Sequence, residues 1–286
     1  MPALSHAYFY KQTGQGIGYD AAAVQSISVT TQSPRNPLSS LGYKGVVGYI
    51  KQPNTADVTI EEFIPANVGI WVAANSAKAA GGNPNKATKK LSDVATTDDS
   101  NPAGVTLAGA QGCVMTGVTF NFNAGQPARC TWTFLGKSGA ADLDGGEAYS
   151  PLEGTGTEKT VLLWENVNLT ADTLYFGGGT DFLAAHRPIS GIQSVTFTGT
   201  INKDTLYALG IAGVYQHVTT FPTNVTVAIE SYELLTAVTS ASGNIACGPA
   251  KAITCYQTSR GMNVAVGGFR TCTEQYTAAD LEWYTV

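Results

Sequence analysis

Two stretches decide the architecture: Val24-Gln25-Ser26-Ile27-Ser28-Val29-Thr30 and, 168 positions later, Ile192-Gln193-Ser194-Val195-Thr196-Phe197-Thr198. Both alternate apolar residues with Ser or Thr, the period-2 pattern of a half-buried antiparallel strand. The match runs on at the same shift through Leu38 with Leu206, Leu41-Gly42 with Leu209-Gly210, and Gly45-Val46 with Gly213-Val214. At a shift of 169 it continues through Pro53, Val58, Ile60 and Glu61 against Pro222, Val227, Ile229 and Glu230. A third block, at a shift of 142, sets Cys113, Thr116, Asn121, Gly125, Cys130 and Thr131 against Cys255, Thr258, Asn263, Gly267, Cys272 and Thr273. Three blocks in one order make the chain two copies of one β-rich unit.

Val58/Ile60 and Val225/Val227/Ile229 alternate like the first strands. Val118/Phe120/Phe122 and Met262/Val264/Val266 form a third alternating set, with Trp132/Phe134 after a turn at Ala124–Pro127; the other copy carries Gly267-Gly268 there. That turn sets Cys130 opposite Asn121. Cys113 then lies about 27 Å along its strand, far outside the roughly 7 Å that a disulfide spans. With an odd cysteine count of five and no secretory signal at the start of this sequence, buried free thiols are expected. Between the first two strand blocks, two leucines three apart precede a glycine. That pattern suits a single helical turn or a tight loop ended by Gly, with Leu38, Leu41, Leu206 and Leu209 either plugging a barrel end or forming an interface.

The copies differ mainly in length. Copy one has 27 extra residues between its second and third blocks, around Ala73–Asn101. The expected organisation is a first β domain over 1–140 with a long loop at about 73–101, a Gly-rich linker over 141–159, and a second β domain over 160–286.

Charged residues make up 13% of the chain, against a usual ~25%, as suits a surface largely covered by other subunits. The net charge of −5 argues against gripping phosphates. No apolar run is long enough for a membrane helix, so no membrane insertion is expected. Chemistry is harder to find. His6, His186 and His217 are not duplicated, Asp142–Gly146 lacks the later ligands of a calcium loop, and no Cys/His cluster suggests zinc. The repeated acids Glu61 and Glu230 are either catalytic carboxylates or groups facing solvent, a lumen or a neighbour. The expectation is therefore no enzyme, with no catalytic residues, metal or cofactor.

The block Val24-Gln25-Ser26-Ile27, Leu-x-x-Leu-Gly, then Pro53 leading into Val58-x-Ile60-Glu61 resembles tail tube proteins of long-tailed bacteriophages, in a tandem-duplicated form. The second copy is closer, with Gly191-Ile192-Gln193-Ser194-Val195, Leu206-Tyr207-Ala208-Leu209-Gly210 and Phe221-Pro222 before Val225–Glu230. Copy one departs from it at Pro34 and Pro37 and lacks a Phe before Pro53. The resemblance implies a mainly β chain of two tandem antiparallel β-barrel or sandwich domains, each with a short helix or helical turn. It implies a major tail tube subunit whose three chains make a pseudo-hexameric ring, the rings stacking into a DNA-conducting channel.

On that reading Leu38, Leu41, Leu206 and Leu209 are candidate ring or stacking contacts. Gln25, Ser26, Gln193, Ser194, Asn121, Cys130, Asn263 and Cys272 are structural residues shared by the copies, and the extra loop is an arm to the adjacent ring. The implied partners are the chain itself, other tail proteins such as terminator, tape measure and baseplate, and DNA in non-specific passage. The implied place is the virion tail, assembled in the host cytoplasm. The alternatives are a baseplate hub or distal ring protein, another virion protein such as a capsid decoration protein, and a secreted carbohydrate-binding or hydrolytic β-protein.

Overall fold

A computed structural model describes residues 9–10, 23–32, 35–42, 44–51, 54–64, 89–95, 105–107, 110–136, 151–152, 175–177, 191–209, 214–232, 243–264 and 270–283. Within the first half lie β1 (Phe9–Tyr10), β2 (Ala23–Gln32), β3 (Arg35–Ser39), β4 (Val46–Lys51), β5 (Thr55–Phe63), β6 (Lys89–Lys90), the short helix α1 (Leu91–Ala95), β7 (Val105–Leu107), β8 (Ala110–Asn123) and β9 (Arg129–Gly136). Then follow β10 (Pro151–Leu152), β11 (Tyr175–Gly177), β12 (Ile192–Leu206), β13 (Gln216–Ser231), β14 (Gly243–Cys247), β15 (Ala250–Val264) and β16 (Arg270–Trp283). The fold is mainly β, with almost no helix.

One antiparallel sheet runs in the order β11-β14-β15-β16-β13-β12-β8-β9-β5-β2, with β7 added to β8 and β6 to β16. The repeat is visible in it. Copy one contributes β2-β5-β9-β8 and copy two β12-β13-β16-β15, the same order of equivalent strands. Register agrees as well: Ile27↔Ile60 corresponds to Val195↔Ile229, Glu62↔Cys130 to Ser231↔Cys272, and Val118↔Trp132 to Arg260↔Glu274. Even the register shifts coincide, at Val24/Ser26 and Ile192/Ser194, and at Met115/Gly117 and Gln257/Ser259. A bulge re-aims a strand and adds twist, so the shared bulges give both units a shared bend. Antiparallel pairing of β8 with β12 joins the two units edge to edge.

The sheet curls over its own core. Trp283 on β16 lies 5.7 Å from Trp132 on β9 and 6.3 Å from Phe120, ring centre to ring centre. Three strands separate β16 from β9, so a flat sheet would hold them about 19 Å apart. The apolar positions expected to face inward do so for Val58, Ile60, Val118, Phe120, Phe122, Trp132, Phe134, Val195, Phe197, Val225, Val227 and Ile229.

Three sequence expectations are corrected. The described residues of the Leu-x-x-Leu-Gly segments form no helical turn. They lie on two hairpin arms: β3 with β4, and the distal part of β12 with that of β13, in equivalent register (Leu38↔Gly48, Leu206↔Gln216). Gly42, at φ +87°, makes the turn that a side chain would strain, which matches the tight-loop alternative. Cys130 pairs with Phe120 rather than Asn121, a one-residue difference in the hairpin. Met262 and Val264, expected to be half-buried, are 56% and 63% exposed.

Part of the extra loop docks within the chain itself. Lys89 and Lys90 pair with Trp283 and Glu282. Leu91 is fully buried. A Cβ added to Gly199 would meet Leu91 Cδ2 at 2.9 Å and Leu281 Cδ2 at 3.0 Å. Ser92 donates through its backbone N to Asp280 Oδ1 at 3.1 Å and through Oγ to Oδ2 at 2.5 Å. Residues 89–95 thus strap the extra segment onto the second unit, beside the join between the two; the rest of 73–101 lies outside the described residues. The repeat counterpart of Gly199 is Thr31, so glycine stands where the strap needs room. Gly199→Thr is expected to lower stability by about 1–3 kcal/mol, the usual cost of overpacking, read as an earlier urea midpoint.

The segment read as a linker includes β10, which pairs with β1 (Phe9↔Leu152, Tyr10↔Pro151); its remainder, Asp142–Gly146 included, lies outside the described residues, as do His6, His186 and the Gly267-Gly268 turn. No helix among the described residues is long and apolar enough to cross a membrane.

All five cysteines are free and buried. Burial pushes the thiols of Cys247 and Cys255 up to about 12. Unfolded thiols titrate near ~8.5, so this contribution to stability is complete below that pH and is lost as pH rises towards 12. A thiol reagent at pH 8 should label the native chain negligibly and all five cysteines in denaturant, and the urea midpoint should fall between pH 7 and pH 10.

Candidate assembly surfaces

Exposed apolar side chains are not scattered over this molecule. Of sixteen large hydrophobic residues standing exposed among the described residues, twelve sit on the two hairpin arms. On the first arm these are Leu38, Leu41, Val46, Val47, Tyr49 and Ile50; on the second they are Leu206, Tyr207, Leu209, Tyr215, Val218 and Phe221. Leu41 and Leu209 project fully into solvent at the turns, so they plug nothing within the chain. Exposed apolar residues gathered on single elements in this way mark contact sites. Three of the other four, Tyr256, Met262 and Val264, share one stretch of β15.

That stretch is a sheet edge. β14 pairs with β15 only from Ala250 to Cys255, and no described residue pairs with the outer edge of 256–264. β2, at the far end of the sheet, pairs only with β5 among the described strands. Among the described residues, two stretches of sheet edge, one on β15 and one on β2, are thus without a neighbouring strand, and such edges present N–H and C=O groups to a further strand. The described residues therefore carry two such edge stretches and two apolar arms.

The eight repeated strands also expose a distinctive second face. Opposite the core, alternation places Ser28, Thr59, Thr119, Thr131, Thr196, Thr226, Thr273 and Thr277, with carboxylates at Asp57, Glu61 and Glu230. Arg129 on this face is held by Glu61 at 2.9 Å. Of the repeated acids, Glu61 is thus ion-paired and Glu230 exposed.

Several buried polar groups are held by contacts within the chain. Trp132 Nε1 donates to Glu62 Oε1 at 2.6 Å. Glu274 accepts from Tyr276 Oη, accepts from Gln257 Nε2 at 3.3 Å, and lies 3.2 Å from Arg260 Nε. Burial first, then the bond to Glu274, raises the Tyr276 phenol well above its ordinary range. His217 is buried with Nδ1 3.2 Å from Thr205 Oγ1. These carboxylates were invisible to repeat analysis because they do not correspond: the counterpart of Glu62 is Ser231, and that of Glu274 is Trp132. No group of three or more His, Cys, Asp or Glu side chains that could hold a metal occurs among the described residues.

The chain matches no protein-family model and no curated protein.

The shared residues have clear places. Asn121 Oδ1 accepts from Thr196 Oγ1 at 3.1 Å across the β8–β12 join, and Gln193 O accepts from Ala124 N at 2.8 Å at its end. Ser194 lies opposite Asn123 in that join. Gln25 and Ser26 lie exposed on β2, and Asn263 on β15, at the two outer edges. Cys130 on β9 and Cys272 on β16 are both buried.

Proposed function

We propose that this protein is a structural, self-assembling subunit of a virion tail tube. Chains join edge to edge into a closed ring and rings stack into a channel. The observation that carries the reading is the internal join: two equivalent four-strand units already meet in one sheet, and the counterparts of the two joined edges have no partner strand among the described residues. A head-to-tail contact of this type closes into a ring when its rotation allows and otherwise extends as a filament. Three chains of two units each would complete six equivalent units.

The other features fit the same reading. Two apolar arms at equivalent positions supply contacts between stacked rings. The hydroxyl-rich, weakly acidic face opposite the core suits the lumen, because a surface that repels or ignores phosphate lets DNA slide. Terminator, tape measure and baseplate proteins would meet the ends of such a tube, assembled in the host cytoplasm.

Negative-stain microscopy of the purified chain tests this. Long hollow tubes are the expected result, isolated rings would favour a hub or distal ring protein, and monomers would contradict both. Leu41→Asp combined with Leu209→Asp is expected to leave monomer stability within about 0.5 kcal/mol, as for exposed positions generally, while stopping growth at single rings.

A further inference from the structure

Inside the chain, β8 and β12 pair from Gly117↔Thr200 to Asn123↔Ser194. Just before that stretch β8 is covered instead by β7, which pairs with its first residues, Val105 with Cys113 and Leu107 with Ala110. Copy two repeats the arrangement as far as it can. β14 covers β15 from Ala250 to Cys255; the following stretch, equivalent to the part of β8 that binds β12, pairs with β16 on one side and with no described strand on the other. The counterpart of the β12 segment is β2, whose outer edge is likewise without one.

Applying the repeat shifts of 142 and 168 to the internal register places Met262 opposite Val29, Asn263 opposite Ser28 and Gly261 opposite Thr30. We infer that β15 of one chain pairs antiparallel with β2 of a second copy in this register, so that the seam between chains repeats the seam within the chain. The inference rests on the self-assembly part of the reading above and specifies its partner surface.

The side chains agree with the register at two of these positions. The internal seam sets Phe120 against Phe197, both buried; the outer seam would set Met262, now 56% exposed, against Val29, which already packs on the core. Across the internal seam Asn121 accepts from the Thr196 hydroxyl. The outer positions keep an amide at Asn263 and a hydroxyl at Ser28, both exposed and in reach of the same bond. A one-residue slip would turn Met262 to the opposite face from its apolar partner.

The two seams are not identical. Leu91 of the strap sits over Gly199 beside the internal seam, whereas the corresponding outer position is Thr31 and copy two lacks the 27 residues that supply the strap. The seam between chains is therefore the unstrapped one, at which assembly begins and ends.

Cysteine cross-linking in the full chain tests the register, the five native thiols being buried. Directly opposed residues in an antiparallel pair have Cα atoms about 4.5–5.5 Å apart, within disulfide range. Oxidation of assembled Met262→Cys/Val29→Cys protein is expected to give covalent dimers and higher ladders on a non-reducing gel. Val264→Cys/Thr31→Cys, four residues out of register and about 13 Å apart, should give none. Assembled particles in which the in-register pair links no faster than the out-of-register pair overturn the register while leaving self-assembly standing. A chain that stays monomeric by light scattering at every concentration overturns both.

Discussion

Trp132→Phe is expected to lower the unfolding free energy by about 2–4 kcal/mol, whereas Trp283→Phe, its neighbour in the same aromatic cluster, changes it by less than about 1 kcal/mol. The two rings meet edge to face 5.7 Å apart, and both are fully buried. Each substitution removes a similar apolar volume, a loss on the order of 1 kcal/mol. The indole N–H groups differ. Trp132 Nε1 donates to the buried Glu62 carboxylate at 2.6 Å, and a hydrogen bond to a charged group contributes roughly 1.5–3 kcal/mol. Trp283 Nε1 is buried without a hydrogen-bond partner, so its removal recovers roughly the desolvation cost of one polar group, about 1–3 kcal/mol. The two effects add at Trp132 and oppose at Trp283. Urea denaturation of the two variants at pH 7 reads the difference directly, and equal midpoints would refute this assignment of the Glu62 contact.

Met262→Asp is expected to abolish assembly while leaving the isolated chain's stability within about 0.5 kcal/mol of the parent. The side chain is more than half exposed in the single chain, so a carboxylate there is hydrated and harmless. In the seam it would face Val29 with no cation opposite, and the effective penalty for burying an unpaired ion is several kcal/mol. That penalty recurs at every chain-to-chain seam, so its effect on a closed ring multiplies. Sedimentation velocity should show monomer at concentrations where the parent forms particles. Particles of unchanged size would place the contact elsewhere.

The repeat was legible because both copies keep residues in the same order, such as the Gln-Ser pairs at 25–26 and 193–194; the bulges beside those pairs emerged only from the strand register. What the sequence could not show is how the copies meet. Apolar alternation at Val118/Phe120/Phe122 and at Met262/Val264 is the same signal, yet the first set is buried and the second exposed. The difference lies in what pairs with each edge: β12 of the same chain covers the first, and no described strand covers the second. Alternation reports which face a strand turns inward, and a strand whose neighbour is another molecule gives the same pattern.

The arms misled for a related reason. Two leucines three apart before glycine suit a helical turn locally, but here the flanking residues pair as strands and the glycine ends a hairpin at Gly42. The strap was hidden because residues 89–95 lack periodicity of their own. A pointer existed in hindsight at Gly199, where the copies differ by glycine against Thr31, a change that is informative only once something is known to sit above it.

Electron cryo-microscopy of the assembled particle, reconstructed without imposed symmetry, tests the central claim most directly. The expected map shows a closed ring of six similar units in one continuous sheet, with density for the strap at every second seam and three-fold symmetry overall. Open strings, isolated monomers, or a ring whose chains touch without pairing β15 to β2 would contradict it.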